Sequence, residues 1–193
     1  MTTSENTKKI RNLTYLAIFT ALVFVLQLLS MVMRGPVFSL TFIFVPVVIA
    51  VALCGFHAGP WLGFIFGVAV LITGDANAFL SVNPLATVFL VLLKGTLAGL
   101  CAAFVYRLLE KKNRYLAVTL AAVSAPIVNS GVFFIGCCLF FNDFIESLLP
   151  VGQSVAAYVA FTMIGINFFV ELAVNIILVP TIYRVIEIAK KRK

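Results

Sequence analysis

Long apolar runs, broken by short polar or turn-forming stretches, dominate this chain. Six such runs can be read along it: about Asn12 to Met33, Leu40 to Cys54, Ala58 to Thr73, Leu85 to Leu108, Tyr115 to Phe141 and Val155 to Tyr183. A helix needs roughly 20 apolar residues to cross a bilayer, and four of the runs reach that length. The second and third are short, with only Gly55-Phe56-His57 between them and with Pro46 and Pro60 inside them. They predict a tight helical hairpin, kinked at the prolines. The pattern predicts an all-α integral membrane protein of six transmembrane helices, with residues 1–193 forming one transmembrane domain.

Composition agrees and removes alternatives. Hydrophobic residues make up 63% of the chain and charged residues 11%. Soluble domains carry about 45–50% and about 25% respectively. An ordinary soluble enzyme, a disordered chain and a nucleic-acid-binding domain are excluded, because no soluble fold of this size hides so much apolar surface. The first run is too long for a cleavable signal and lacks a small-residue cleavage site, so it is expected to stay as a span.

The net charge of +7 is explained by its placement. Lys8, Lys9 and Arg11 precede the first run. Arg107, Lys111, Lys112 and Arg114 separate the fourth and fifth. Arg184, Lys190, Lys191, Arg192 and Lys193 follow the sixth, which makes 12 of the 14 cations on one side of a six-span protein. Arg34 alone lies on the other side, and Lys94 falls inside a span. The positive-inside rule then puts both termini in the cytoplasm of a multi-pass plasma-membrane protein. Anionic lipid headgroups are a further use for these cations. The outward connections become Met33–Ser39, Gly74–Pro84 and Asn142–Ser154, either plain connectors or a lid over an outward-facing cavity.

Ionisable groups inside spans are costly and face the bundle interior. Lys94 and Glu171 are the two here. Lys94 lies 13 residues before Arg107, Glu171 lies 13 before Arg184, and Asn129 lies 14 after Tyr115. At 1.5 Å per residue all three sit about 20 Å from the inner boundary. Asn167, Glu171 and Asn175 share one helical face at i, i+4, i+8. Lys94, Asn129, Glu171 and Asn167 are therefore candidate ligand contacts, with Asn175 left to helix packing. Lys94 suits a carboxylate or phosphate, and Glu171 an amine or ring N–H. A purely structural Lys94–Glu171 pair is the competing account, although desolvation opposes the gain from such a pair. Asp75, Asn77, Ser81 and Asn83 supply hydrogen-bonding groups from the outward loop, or are simply solvated turn residues. Gln27 reads as polar glue between helices, and His57 falls in a cytoplasmic turn with no assigned role.

Small residues recur every four positions: Ala17 and Ala21; Gly55, Gly59, Gly63 and Gly67; Gly95, Gly99 and Ala103. This spacing lets membrane helices approach closely. The glycines are read as packing within the bundle, and the Ala17/Ala21 face as meeting either the bundle or another membrane protein. Cys54, Cys101, Cys137 and Cys138 lack metal-ligand spacing and read as small buried hydrophobes. No catalytic motif, Walker loop or intramembrane aspartate pair occurs, so no enzyme, metal or cofactor is predicted. Any active transport has to be energised by a partner or by an ion gradient.

Several stretches resemble those of a known family. They are Ala17-Ile18-Phe19-Thr20-Ala21 after a basic N-terminus, VPVVIAVALCGFHAGPWLGFIFGVAVLI (Val45 to Ile72), LLKGTLAGLCAAFVYRLLEKK (Leu92 to Lys112) and the Pro126/Asn129 region. Together with length and span count, these resemble the substrate-binding S component of an energy-coupling factor (ECF) transporter. The block from Val45 is similar to the branch of riboflavin, pantothenate and folate S components. The resemblance implies a subunit that captures a vitamin or related micronutrient from outside, beneath the outer loops and among the later helices. It implies partnership with a transmembrane coupling protein, met by Ala17 and Ala21, and with two cytoplasmic ATPases whose hydrolysis drives toppling of the subunit. The competing class is a stand-alone secondary transporter or channel using Lys94 and Glu171 as an ion or proton relay. No convincing internal repeat accompanies that reading. A third class is a membrane scaffold with only a structural ion pair.

Overall fold

The computed structural model of the protein describes residues 3–32, 42–149 and 152–191. The expected outward loop Met33–Ser39, with Arg34, lies outside the described residues. Helix α1 covers Thr3–Val32 and α2 covers Phe44–Cys54. Helix α3 covers Ala58–Ile72, followed by the single turn α4 at Asn77–Leu80. Helices α5 (Pro84–Leu109) and α6 (Arg114–Phe140) come next, and then the short α7 (Asn142–Ser147). The last run is continuous but changes pitch: α8 (Val155–Tyr158), a π-helical segment (Val159–Gly165) and α9 (Ile166–Lys191).

Four of these runs are long and apolar enough to cross a membrane: Asn6–Val32, Pro84–Leu109, Arg114–Phe140 and Val155–Lys191. The α2 and α3 helices are apolar but have only 11 and 15 residues. That is about 16 and 22 Å of helix, short of a core of roughly 30 Å. The cause is the turn between them. Gly55 adopts φ +98° there, and its N–H bonds Val51 O at 3.0 Å while its own carbonyl accepts from Ala58 N at 3.1 Å. Pro46 and Pro60 each sit third in their helices, where the missing N–H has no intrahelical acceptor to lose.

The boundaries of the long helices follow local chemistry. Asn83 precedes α5 with extended backbone, its Oδ1 accepts Ala86 N–H at 3.1 Å, and Pro84 takes the first helical position. Asn113 caps α6 in the same way through Leu116 N–H, and Ser154 caps α8 through Ala157 N–H. The sequence pattern anticipates the long helices to within a few residues, except that α1 begins near residue 3 and α9 continues to Lys191.

The core lies where α2, α3, α5, α6 and α9 meet. Val47, Val48, Leu62, Ala98, Ala102, Ala121 and Ala122 are fully buried there. The small side chains have a purpose on the α3–α5 seam. A Cβ built on Gly63 would stand 2.1 Å from Gly95 O, and one on Gly59 would stand 2.3 Å from Gly99 O. The two backbones touch, which is the packing the four-residue spacing predicts. Around this core, Leu28, Phe104, Leu120, Ile135, Leu139, Phe161, Phe169 and Ile177 are exposed on the outside of the bundle. Such an apolar exterior belongs in lipid. Helix α1 packs against α2 and α3 at the rim.

Candidate binding site

The ends of α3, α5, α6 and α8 that meet the short helices α4 and α7 form one end of the bundle. The basic connections lie at the other. Lys94 is half-buried on α5, nearly three turns from the α4 end of that helix. Its ammonium lies 4.7 Å from the centre of the Phe133 ring on α6. Glu171 of α9 and Cys137 of α6 are both within electrostatic range of that ammonium. Glu171 itself is only 7% exposed. The bundle thus brings together the two charged residues that the sequence places inside spans.

Asn129 stands one helical turn before Phe133, on the same face of α6. Its Oδ1 is buried and has no hydrogen-bond partner among the described residues. A buried acceptor in that state calls for an explanation, and a donor on a ligand is one. The Asn175 Oδ1 is buried in the same state, but its amide nitrogen is engaged. Asn175 is 1% exposed, and its Nδ2 donates to the backbone carbonyl of Glu171 at 2.9 Å. That is an i to i−4 back-bond within one helix, in keeping with a packing role. Asn167 is half-buried on α9, just beyond the π-helical segment. Segments of π-helix recur at functional sites because they re-aim the side chains on either side of them.

An aromatic cluster lines the α4 end, and the sequence reading does not single it out. Phe79 of α4 meets Phe133, Phe141 and Phe144 edge-to-face, with ring centres 5.7, 4.9 and 5.9 Å apart. These rings pack with Leu90, Cys137, Ile145 and Val159 in a second, smaller core. Edge-to-face contacts of this kind add about 0.5–1.5 kcal/mol each beyond their burial. With 19 Phe in the chain, composition gives no hint of which four converge. The one available signal is that Phe133 follows Asn129 by four residues.

The loop residues are placed as follows. Asp75 is half-buried, and its Oδ2 accepts a hydrogen bond from Gln27 Nε2 of α1. Asn77 opens α4 and is exposed. Asn83 spends its Oδ1 on the α5 cap and is exposed. Ser81 Oγ donates to Ala78 O at 2.8 Å. Ala17 and Ala21 are both exposed on α1, so the bundle leaves their small face uncovered. At the basic end, Arg114 pairs with Glu187, and Lys190 reaches Glu110 at 3.9 Å. His57 is exposed in the hairpin turn. Among the described residues, no group of His, Cys, Asp and Glu is arranged to hold a metal ion.

An apolar helical bundle with charged and polar side chains gathered from three of its helices defines an integral membrane protein built around a polar site. The sequence matches the model of the ECF transporter substrate-specific component over residues 11–183, and the chain belongs to that family. Proteins of this family are the substrate-binding subunits of ECF importers and are not enzymes. The fold is similar to a solved structure of ThiT from Listeria monocytogenes, with a TM-score of 0.65 and 18% identity, covering 91% of this chain and 98% of that one. At that identity the likeness speaks for the fold. A search among curated proteins gave no match.

Proposed function

We propose that this chain captures a vitamin or related micronutrient from outside the cell and delivers it to a transmembrane coupling protein powered by two cytoplasmic ATPases. The observation that carries this reading is the Lys94 ammonium over the Phe133 ring, with Glu171 within electrostatic range, inside a largely apolar bundle of the S-component family. Charges held at that depth are costly unless something rewards them. Lys94 binds an acidic group of the substrate, Glu171 an amine or ring N–H, and the Asn129 Oδ1 a further donor. Asn167, Asp75, Asn77 and Asn83 add hydrogen bonds from the α4 end.

The chain is one transmembrane domain that crosses the plasma membrane six times with both termini cytoplasmic. The location of 12 of 14 cations supports that orientation. The short α2 and α3 fit within it because they are shielded by protein along much of their length, and shielded helices need not match the lipid thickness. Ala17 and Ala21 form the face that receives the coupling protein, where small residues allow close approach.

Affinity purification from the native membrane tests the reading. The wild-type chain retains an integral membrane partner together with ATPase subunits. Replacing Ala17 and Ala21 together by Leu reduces recovery of that complex at least about tenfold, as expected when a close helix contact is wedged open. Full recovery of the complex with the double variant removes α1 from the interface.

A further inference from the structure

Helix α1 presents two different stripes. Leu16, Thr20, Val23, Gln27 and Ser30 recur at alternating spacings of four and three and turn toward α2 and α3. Ala17, Ile18, Ala21, Leu22 and Val25 turn outward and are exposed. The inward stripe carries two polar ties in a mostly apolar contact. Trp61 Nε1 of α3 donates to Thr20 Oγ1 at 3.1 Å. Gln27 Nε2 donates to Thr73 Oγ1 at 3.1 Å and to Asp75 Oδ2.

The second tie is well defined. Gln27 is 1% exposed, and the two N–H groups of its amide account for the two bonds. Thr73 in turn donates to the end of α3, at Ala69 O 2.9 Å and Val70 O 3.3 Å. Its hydroxyl is thereby oriented to accept from Gln27. The amide end of these bonds is buried while Thr73 and Asp75 are half-buried, and partial exclusion of water strengthens such bonds relative to a wet surface. Rotation or sliding of α1 has either to break this tie or to drag the turn at residues 73–77 with it.

The geometry points to Gln27 as a positioning residue that couples α1 to the turn carrying Asp75, so that docking on the outward face of α1 is felt at the binding site. This rests on the functional reading above for what docks and what binds, while the tie itself does not. It extends the reading of Gln27 as polar glue between helices. A tie between two sites is an energetic coupling, and it acts in both directions.

Hydrogen–deuterium exchange tests it without a known substrate. In the isolated protein, Gln27→Leu raises exchange at the amides of residues 73–77 by about fivefold or more, the size expected from losing a buried hydrogen bond. Exchange in α5 and α6 stays unchanged. Wild-type exchange at residues 73–77 in Gln27→Leu overturns the positioning role. Should that variant not fold, Thr73→Val reports on the same tie. It raises the same amides, and Thr73→Ser, which keeps the hydroxyl, restores wild-type exchange. Equal exchange in the Val and Ser variants overturns the role as well.

The second arm uses the complex with the coupling protein and ATPases. Assembly changes exchange at residues 73–77 in the wild type, and Gln27→Leu assembles but loses that response. An unchanged wild-type turn on assembly, or an equal response in both proteins, overturns the coupling. A wild-type chain that does not assemble contradicts the functional reading instead, and the isolated-protein arm still decides the tie.

Discussion

At the level of the candidate site, helix α5 meets its two neighbours by opposite means. Toward α3 it offers Gly95 and Gly99, and the backbones touch with no side chain between them. Toward α6 it offers Leu90 and Lys94, which reach across to Gly136 and to the face of Phe133. The first seam is set by rigid main chain. The second is set by side chains that have rotamers to choose among. A helix anchored along one seam can present a charged and aromatic surface on the other without losing its position. Sites gain precision when the element that carries them is itself firmly held.

The largest expected effect comes from wedging the rigid seam. A Cβ at Gly63 would lie 2.1 Å from Gly95 O, and backbone cannot move aside cheaply. Gly63→Ala therefore costs about 3 kcal/mol or more, at the upper end of overpacking penalties. Thermal unfolding in detergent or nanodiscs measures it. Gly136→Ala sharpens the comparison from the other side. Its new Cβ would stand 2.2 Å from Leu90 Cδ1, the far end of a flexible side chain. The change stays within about 1 kcal/mol, since the gain in helix propensity offsets part of the repacking. Equal losses for the two variants would show that the seams are not built differently.

The smallest effect belongs to the basic end. Arg114 and Glu187 form an ion pair whose side chains are 39% and 31% exposed. Solvent screening leaves such a pair worth no more than about 1 kcal/mol, so Glu187→Ala lowers stability by that amount at most. A larger loss in the same unfolding assay would make the basic end a structural clasp and not a solvated edge.

Much of the fold was legible from residue pattern. Apolar run length marks the helices, and Gly55-Phe56-His57 marks the hairpin turn. The four-residue recurrence of glycine marks the close α3–α5 seam. It does not say that Gly63 meets Gly95, because partner and register are properties of the assembled bundle. Gly55 belongs to the same recurrence and yet serves the turn, where a Cβ would meet nothing within 4 Å. The change to π-helical pitch at Val159–Gly165 has no comparable sequence signal, since its side chains look like any apolar span.

The candidate site divides in the same way. Lys94 and Glu171 stand out because charge is rare inside a span, and a count of helical rise places them at one depth. The Phe79 cluster does not stand out among 19 phenylalanines. Nor do the partners of Gln27, which lie 46 and 48 residues further along the chain. A single polar residue in an apolar span signals a partner but not which one. Contacts made by abundant residue types, or across long separations, emerge only from the three-dimensional arrangement.

Native mass spectrometry of the protein purified from its own membrane, beside Lys94→Ala prepared in the same way, tests the central claim most directly. The account predicts a small molecule retained by the wild type and reduced at least about tenfold in the variant, the loss expected when a charge-assisted contact in a water-poor site is removed. Both proteins remain folded by thermal unfolding. Equal retention of the same molecule by the two proteins would remove Lys94 from the site and contradict the account.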